Sequence, residues 1–257
     1  MIDKTWSLIQ QQISIISASD YEYVLVSDFI LQQKNYPNAL CHLLFNAMKS
    51  HYLSYPQLET IIHEAINHDP HIVTNSLLDL YAFQERDPAC QNLHEAFLFY
   101  KGFKVLQLYR LANFYWRGKK YFIARLIQSI TSDLFAVDIH PGAEIQGGIF
   151  IDHGTGIVIG ETARIDRNVS ILHNVTLGGT GKEVADRHPK IKEGVLIGAG
   201  AKVLGNITIG KNSKVAAGSI VLADVPEGVT VVGIPAKIVC TNQNSIPAQE
   251  MSQLPDY

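Results

Sequence analysis

The sequence predicts an α+β chain in which a helical first half is followed by a parallel β-helix interrupted by one protruding loop. Three observations carry that expectation. Every sixth residue from Ile139 reads Ile139, Ile145, Ile151, Ile157, Ala163, Val169 and Val175, then, after a break, Ile191, Ile197, Val203, Ile209, Val215 and Val221. The break is the second observation, because the phase fails between Val175 and Ile191, where Gly178, Gly179 and Gly181 open a segment running to Lys190. The third is that apolar residues before about residue 133 recur at helical spacing instead.

The organisation expected is a helical domain over 1–133, a coil over 134–240 with its loop at 178–190, and a mobile tail over 241–257. The chain's 257 residues and 47% hydrophobic content are ample for such cores. A net charge of -3 gives no reason to expect nucleic acid or an anionic membrane as the main partner. No apolar run reaches spanning length and MIDKTWSLIQ lacks the apolar core of a secretory signal, so the expected location is the cytoplasm. Cys41, Cys90 and Cys240 are too scattered for a disulfide framework or a cysteine-based zinc site, and no metal is expected.

In the first half, Leu58, Ile61, Ile62, Ala65 and Ile66 form an apolar stripe behind Pro56, a residue suited to a first helical turn. Ile72, Val73, Leu77 and Leu80 continue the pattern after Asp69-Pro70, where one helix should end and the next begin. Further helices are expected across 39–49, 93–116 and 121–131. The aromatics crowded between Phe97 and Trp116 read as core and helix-interface packing. The tail, rich in Gln, Asn, Ser and Pro, has no periodicity.

In the second half, each hexad supplies one short side of a coil, and three hexads close a triangular turn of eighteen residues. Alternate strand residues face opposite sides, so each hexad aliphatic and the residue two before it point inward. Those inner neighbours include Ala143, Thr155, Ala201 and Ser213, small enough for a narrow interior. An insertion into such a stack emerges at a corner. This one, with glycines at its root and Arg187-His188 near its end, looks built to close over a ligand. It is not a phosphate-binding P-loop, since Glu183 stands where the Ser or Thr after Gly-Lys is required.

Strand alternation sends Asp138 and Asp152 outward and leaves His153 at a turn. Asp138 and His153 are fifteen residues apart, three short of a coil, which predicts adjoining rungs about 4.8 Å apart and a carboxylate–imidazole hydrogen bond. Such a pair is a general base with an orienting acid. Asp152 and the loop residue His188 add polar groups to the same neighbourhood.

The hexads, together with Asp152-His-Gly-Thr-Gly156, Ile159-Gly-Glu-Thr162, Val175-Thr-Leu-Gly-Gly-Thr-Gly-Lys182, Asp186-Arg-His-Pro-Lys190, Arg86-Asp-Pro-Ala89 and Gly233-Ile-Pro-Ala-Lys237, resemble the serine O-acetyltransferases. The resemblance implies a left-handed coil and acetyl transfer from acetyl-CoA to L-serine, giving O-acetyl-L-serine for cysteine synthesis. It implies His153 as the base and Asp138 as its partner, Asp87 and Asp152 on the substrate ammonium, and Arg187 and His188 on its carboxylate. That division suits a zwitterion, which needs acids at one end and a charge-assisted clamp at the other. Acetyl-CoA is implied beside the coil at Gly179, Thr180, Ala199 and Ala217, with Lys214 near its nucleotide. The resemblance further implies a homotrimer with clefts between subunits, or a dimer of trimers, and feedback inhibition by L-cysteine at the serine site. Relatives that dock into O-acetylserine sulfhydrylase use a terminal Ile, whereas this chain ends Leu254-Pro-Asp-Tyr257, so that complex is not expected.

Two rival classes make different demands. A coil carrying zinc-dependent carbonic anhydrase needs two His five positions apart, which His140, His153, His173 and His188 do not provide. A sister enzyme acetylating a sugar or drug would have no use for Asp87 with Arg187, which fit an amino acid.

Overall fold

The computed structural model describes residues 2–14, 21–48, 53–181, 184–241 and 245–253. Lys49 of one predicted helix, Lys182 and Glu183 of the predicted loop, and 242–244 and 254–257 of the predicted tail lie outside them. The first half is helical: α1 (Ile2–Ile13), α2 (Tyr21–Val26) continued by a π-helical turn at Ser27–Leu31, α3 (Tyr36–Met48), α4 (Tyr55–His68), α5 (Pro70–Arg86), α6 (Leu93–Phe99), α7 (Lys101–Arg117) and α8 (Tyr121–Phe135). Pro56 sits in the first turn of α4 and Pro70 opens α5, whose cap Asp69 accepts a bond from the His71 amide. The single helix expected over 93–116 is two, because Tyr100 is extended between them. The start of α7 is pressed onto the coil, where a Cβ on Gly102 would lie 2.1 Å from the Ile151 carbonyl oxygen.

The second half is a left-handed β-helix with three faces. One face stacks β1 (Asp138–Ile139), β4 (Val158–Ile159), β7 (Thr176–Gly178), β10 (Lys202–Leu204) and β13 (Ile220–Val221). The second stacks β2 (Glu144–Ile145), β5 (Arg164–Ile165), β8 (Lys190–Ile191) and β11 (Thr208–Ile209). The third stacks β3 (Phe150–Ile151), β6 (Ser170–Ile171), β9 (Leu196–Ile197), β12 (Lys214–Val215) and β14 (Val229–Gly233), and β15 (Ala236–Thr241) closes it antiparallel to β14.

The register corrects the coil length expected from the hexads. Asp138 pairs with Val158, twenty residues on, Val158 with Thr176 after eighteen, Thr176 with Lys202 after twenty-six, and Lys202 with Ile220 after eighteen. The first coil thus carries two residues more than three hexads and the third carries eight more. The aliphatics aligned with Ile139, Ile145 and Ile151 are Ile159, Ile165, Ile171 and Leu177 rather than Ile157, Ala163, Val169 and Val175. Both sets are buried, which is why a count by sixes passes through the slip unnoticed.

The two halves share a buried polar seam. Asp79, fully buried, accepts from Arg110 Nη2 at 2.6 Å and from Gln107 Nε2 at 3.1 Å, while its other oxygen takes the Ile149 amide at 2.9 Å. Arg110 also donates to the Ile145 and Gln146 carbonyls. These bonds satisfy coil backbone that no strand pairs, and losing one charged partner costs about 3–5 kcal/mol. Phe83 meets Phe150 edge-on at 4.8 Å beside the seam.

Residues 245–253 of the expected tail lie against the coil. A short helix, α9 (Pro247–Glu250), buries Ala248, whose carbonyl accepts from Ser170 Oγ at 2.7 Å and whose amide donates to Gly194 O. Ser170, Leu196 and Lys214, the outward residues of three stacked rungs on the third face, are all fully buried. Outward residues elsewhere, such as Glu144, Val158 and Arg164, are exposed.

Candidate active site

The two surplus residues of the first coil fall at the corner between β3 and β4. His153 and Gly154 take successive left-handed conformations there, with φ of 56° and 73°. An imidazole is thereby held on a corner in a left-handed conformation that Asn168, Asn174 and Asn212 fill at regular corners. The ring is exposed, 3.7 Å from Asp152 Oδ1 and edge-on to His173 with centroids 5.5 Å apart. Asp87 arrives from the helical half as the C-cap of α5, its carboxylate fixed by the Ala89 amide at 2.8 Å. Burial raises the Asp152 carboxyl above its ordinary range and the negative charge of Asp87 adds to that, while His153 and His173 pull it back. Asp87 and Asp152 thus lie close enough for their charges to interact, beside the exposed ring of His153.

The same corner continues up the coil. The β3–β6, β6–β9 and β9–β12 registers place His173 over His153, Ala199 over His173 and Ala217 over Ala199. The Gly200 amide bonds to His173 O and the Gly218 amide to Ala199 O, and a Cβ on Gly198 would strike the Ala217 backbone. His173, whose Nδ1 is buried without a hydrogen bond, was missed by the sequence reading. Its signal was its offset of twenty residues from His153, visible only once the first coil is known to be twenty long. Gln253 lies along this column: its Oε1 takes the Ala199 amide at 3.0 Å and its carbonyl the Ala217 amide at 3.4 Å. Lys214, expected near a nucleotide, is instead fully buried in β12 between β9 and β14, under the segment 245–253.

The remaining predicted residues gather at the opposite end of the first face. Arg187 Nη2 pairs with Glu161 Oε2 at 2.7 Å, and its Nη1 donates to the Val184 and Ala185 carbonyls. His188 is 7% exposed and packs flat on Gly160, where a Cβ would lie 2.0 Å from its Cδ2. Thr162 ties the loop down, its Oγ1 taking the Arg187 and His188 amides at 3.0 and 3.1 Å. Gly179 packs under Arg187, and exposed Thr180 follows it on the same edge. Loop and column therefore occupy different corners. A side of six residues at about 3.3 Å each separates them by roughly 20 Å, too far for one amino acid to touch both within one chain.

The expected hydrogen bond between Asp138 and His153 is not formed in the isolated chain. Asp138 Oδ1 accepts instead from Gln128 Nε2 of α8 at 2.7 Å. The premise that the two residues lie three short of a coil fails because that coil has twenty residues, which leaves His153 five residues short of the position over Asp138.

Comparison with known proteins points to one family. Residues 5–108 match the family described as "Serine acetyltransferase, N-terminal", and residues 188–223 match "Bacterial transferase hexapeptide (six repeats)". A serine acetyltransferase of Haemophilus influenzae is 44% identical over 251 residues, 96% of this chain and 93% of the relative. A serine acetyltransferase solved in complex with cysteine superposes with a TM-score of 0.95 at 42% identity, over 98% of this chain and 99% of the other. One from Brucella abortus, solved with coenzyme A, gives 0.90 at 41% identity over 93% and 96%.

Proposed function

This chain belongs to the serine acetyltransferase family, and from that premise we propose that it transfers the acetyl group of acetyl-CoA to the hydroxyl of L-serine, releasing CoA and O-acetyl-L-serine. The observation that carries this is the corner where Asp87, Asp152 and His153 meet at the foot of the Ala199–Ala217 column. The two carboxylates receive the serine ammonium, and the hydroxyl then lies against His153. The ring takes the hydroxyl proton as the oxygen attacks the thioester carbonyl. A C–O bond forms, the oxyanion collapses, the C–S bond breaks, and the imidazolium returns its proton to the CoA thiolate. His173, one rung nearer the column, stands on the thioester side of the base. Holding both substrates in one cleft removes the cost of their encounter.

The carboxylate end of serine is met by Arg187 and His188, with Gly179 and Thr180 beside them on the pantetheine path. Because these lie a full coil side from His153 in one chain, the working cleft forms between two copies, as in a trimer. Asp138 is the orienting acid of His153 once that cleft is assembled. Arg187 must then exchange Glu161 for the substrate carboxylate. L-cysteine presents the same ammonium and carboxylate with a thiol in place of the hydroxyl, so it competes for the same clamps and serves as an end-product inhibitor.

Thiol release from acetyl-CoA, measured with L-serine, L-homoserine and a simple sugar as acceptors, tests the activity. Turnover with serine alone is expected. Equal turnover with the sugar would move the chain to a sister activity.

A further inference from the structure

The hydrogen bonds around Thr162 fix more than the position of the loop. A threonine hydroxyl has one proton and two acceptor sites. Both acceptor sites of Thr162 Oγ1 are taken, by the backbone amides of Arg187 at 3.0 Å and His188 at 3.1 Å. Its proton must therefore leave toward another acceptor, and two are in reach, His188 Nδ1 at 2.9 Å and the carboxylate of Asp186. The Thr162 amide, which can only donate, points at that same ring nitrogen from 3.1 Å. A ring nitrogen that accepts an amide hydrogen cannot carry one of its own, so the single proton of the neutral ring sits on Nε2. We propose that Thr162 is a positioning residue that locks His188 as the Nε2–H tautomer, so that this imidazole meets the acceptor's carboxylate as a neutral donor and is barred from acting as a base.

This rests on the reading of His188 as a carboxylate ligand. The surroundings act in the same direction. Burial first, then the nearby cations Arg187 and Lys190, lower the pKa of His188, against weaker opposition from Glu161 and Asp186. The absence of a side chain at Gly160 lets the ring lie close to the coil, since a Cβ there would fall 2.1 Å from Nε2. His188 then cannot compete with His153 for the substrate proton.

The test is solid-state NMR on the sedimented full chain with 15N-labelled histidine, the His188 signals being identified by their loss in His188→Asn. An unprotonated Nδ1 and a protonated Nε2 are expected. Thr162→Val removes the oxygen that holds the Arg187 and His188 amides, so the ring should leave the Thr162 amide and show mixed tautomers, and KM for serine should rise about tenfold while KM for acetyl-CoA holds and kcat changes less than about twofold. Thr162→Ser, which restores the hydroxyl, should restore the single tautomer and most of the serine affinity. A protonated Nδ1 in the parent chain, or an unchanged tautomer in Thr162→Val, would overturn the lock. If His188→Asn leaves KM for serine untouched, the reading of His188 as a ligand fails, and the NMR result still decides the lock.

Discussion

Two corners of the coil are longer than the hexad, and the residues proposed as base and carboxylate clamp sit one set at each. At the first, two extra residues swing His153 out beside Asp152 and within range of Asp87. At the second, eight extra residues deliver Arg187 and His188 onto Gly160, Glu161 and Thr162. The regular β8–β9 and β11–β12 corners hold an ordinary surface pair, Lys211 with Glu193 at 3.2 Å. A repeat that stacks its aliphatics tightly has no backbone freedom to aim a polar group, so function collects where the repeat is broken. The two breaks also differ in kind. The small one exposes a single ring on left-handed backbone, whereas the large one is pinned by a dense set of bonds to a buried imidazole.

That difference orders the expected effects. His153→Ala should lower kcat by about 10³-fold or more with melting temperature unchanged, since the ring is 73% exposed and only its chemistry is lost. Thiol-release kinetics with a thermal melt check this, and near-normal turnover would detach the first corner from catalysis. Arg187→Lys should raise KM for serine about ten- to fiftyfold at a nearly constant kcat, because a lysine keeps the charge but not the fork that grips a carboxylate. A fall in kcat alone would show that the second corner does more than bind.

Asp152→Asn separates electrostatics from chemistry at the first corner. The folded carboxyl titrates above its unfolded value, so its ionisation opposes folding. That cost is absent below the ordinary aspartate pKa and complete above the raised one. The variant should therefore melt about 2 °C higher near pH 7, with the gain vanishing below about pH 4 even as serine binding weakens. A gain that persists in acid would point to packing instead. The smallest effect belongs to a regular corner: Lys211→Ala, at an ion pair about half exposed on each side, should leave turnover within about twofold and stability within about 0.5 kcal/mol. A larger loss there would break the contrast between regular and interrupted corners.

Much of this was legible in the residues. The aliphatic period announces a coil, and the glycine-rich break from it announces a loop. Asp87, Asp152, His153, Arg187 and His188 stand out by type and by family resemblance. What escaped has a common cause. Ile157 and Ile159 are both buried and both aliphatic, so a slip of two residues between them leaves no trace in a hydrophobic count. With the coil length misjudged, Asp138 was expected against His153 and His173 went unnoticed. Lys214 was placed near the nucleotide by resemblance, and its full burial in β12 has no local signal in the sequence.

The sequence by itself determined the helical half, the stacked coil and the identity of most polar groups, because these follow from periods and motifs contained within a few neighbouring residues. Only the tertiary structure decided which of those groups share a corner, that the clamp and the base stand a full side apart, and which hydroxyl governs His188. Those outcomes depend on how many residues complete each turn and on what packs across it, and such sums run over segments eighteen to twenty-six residues apart.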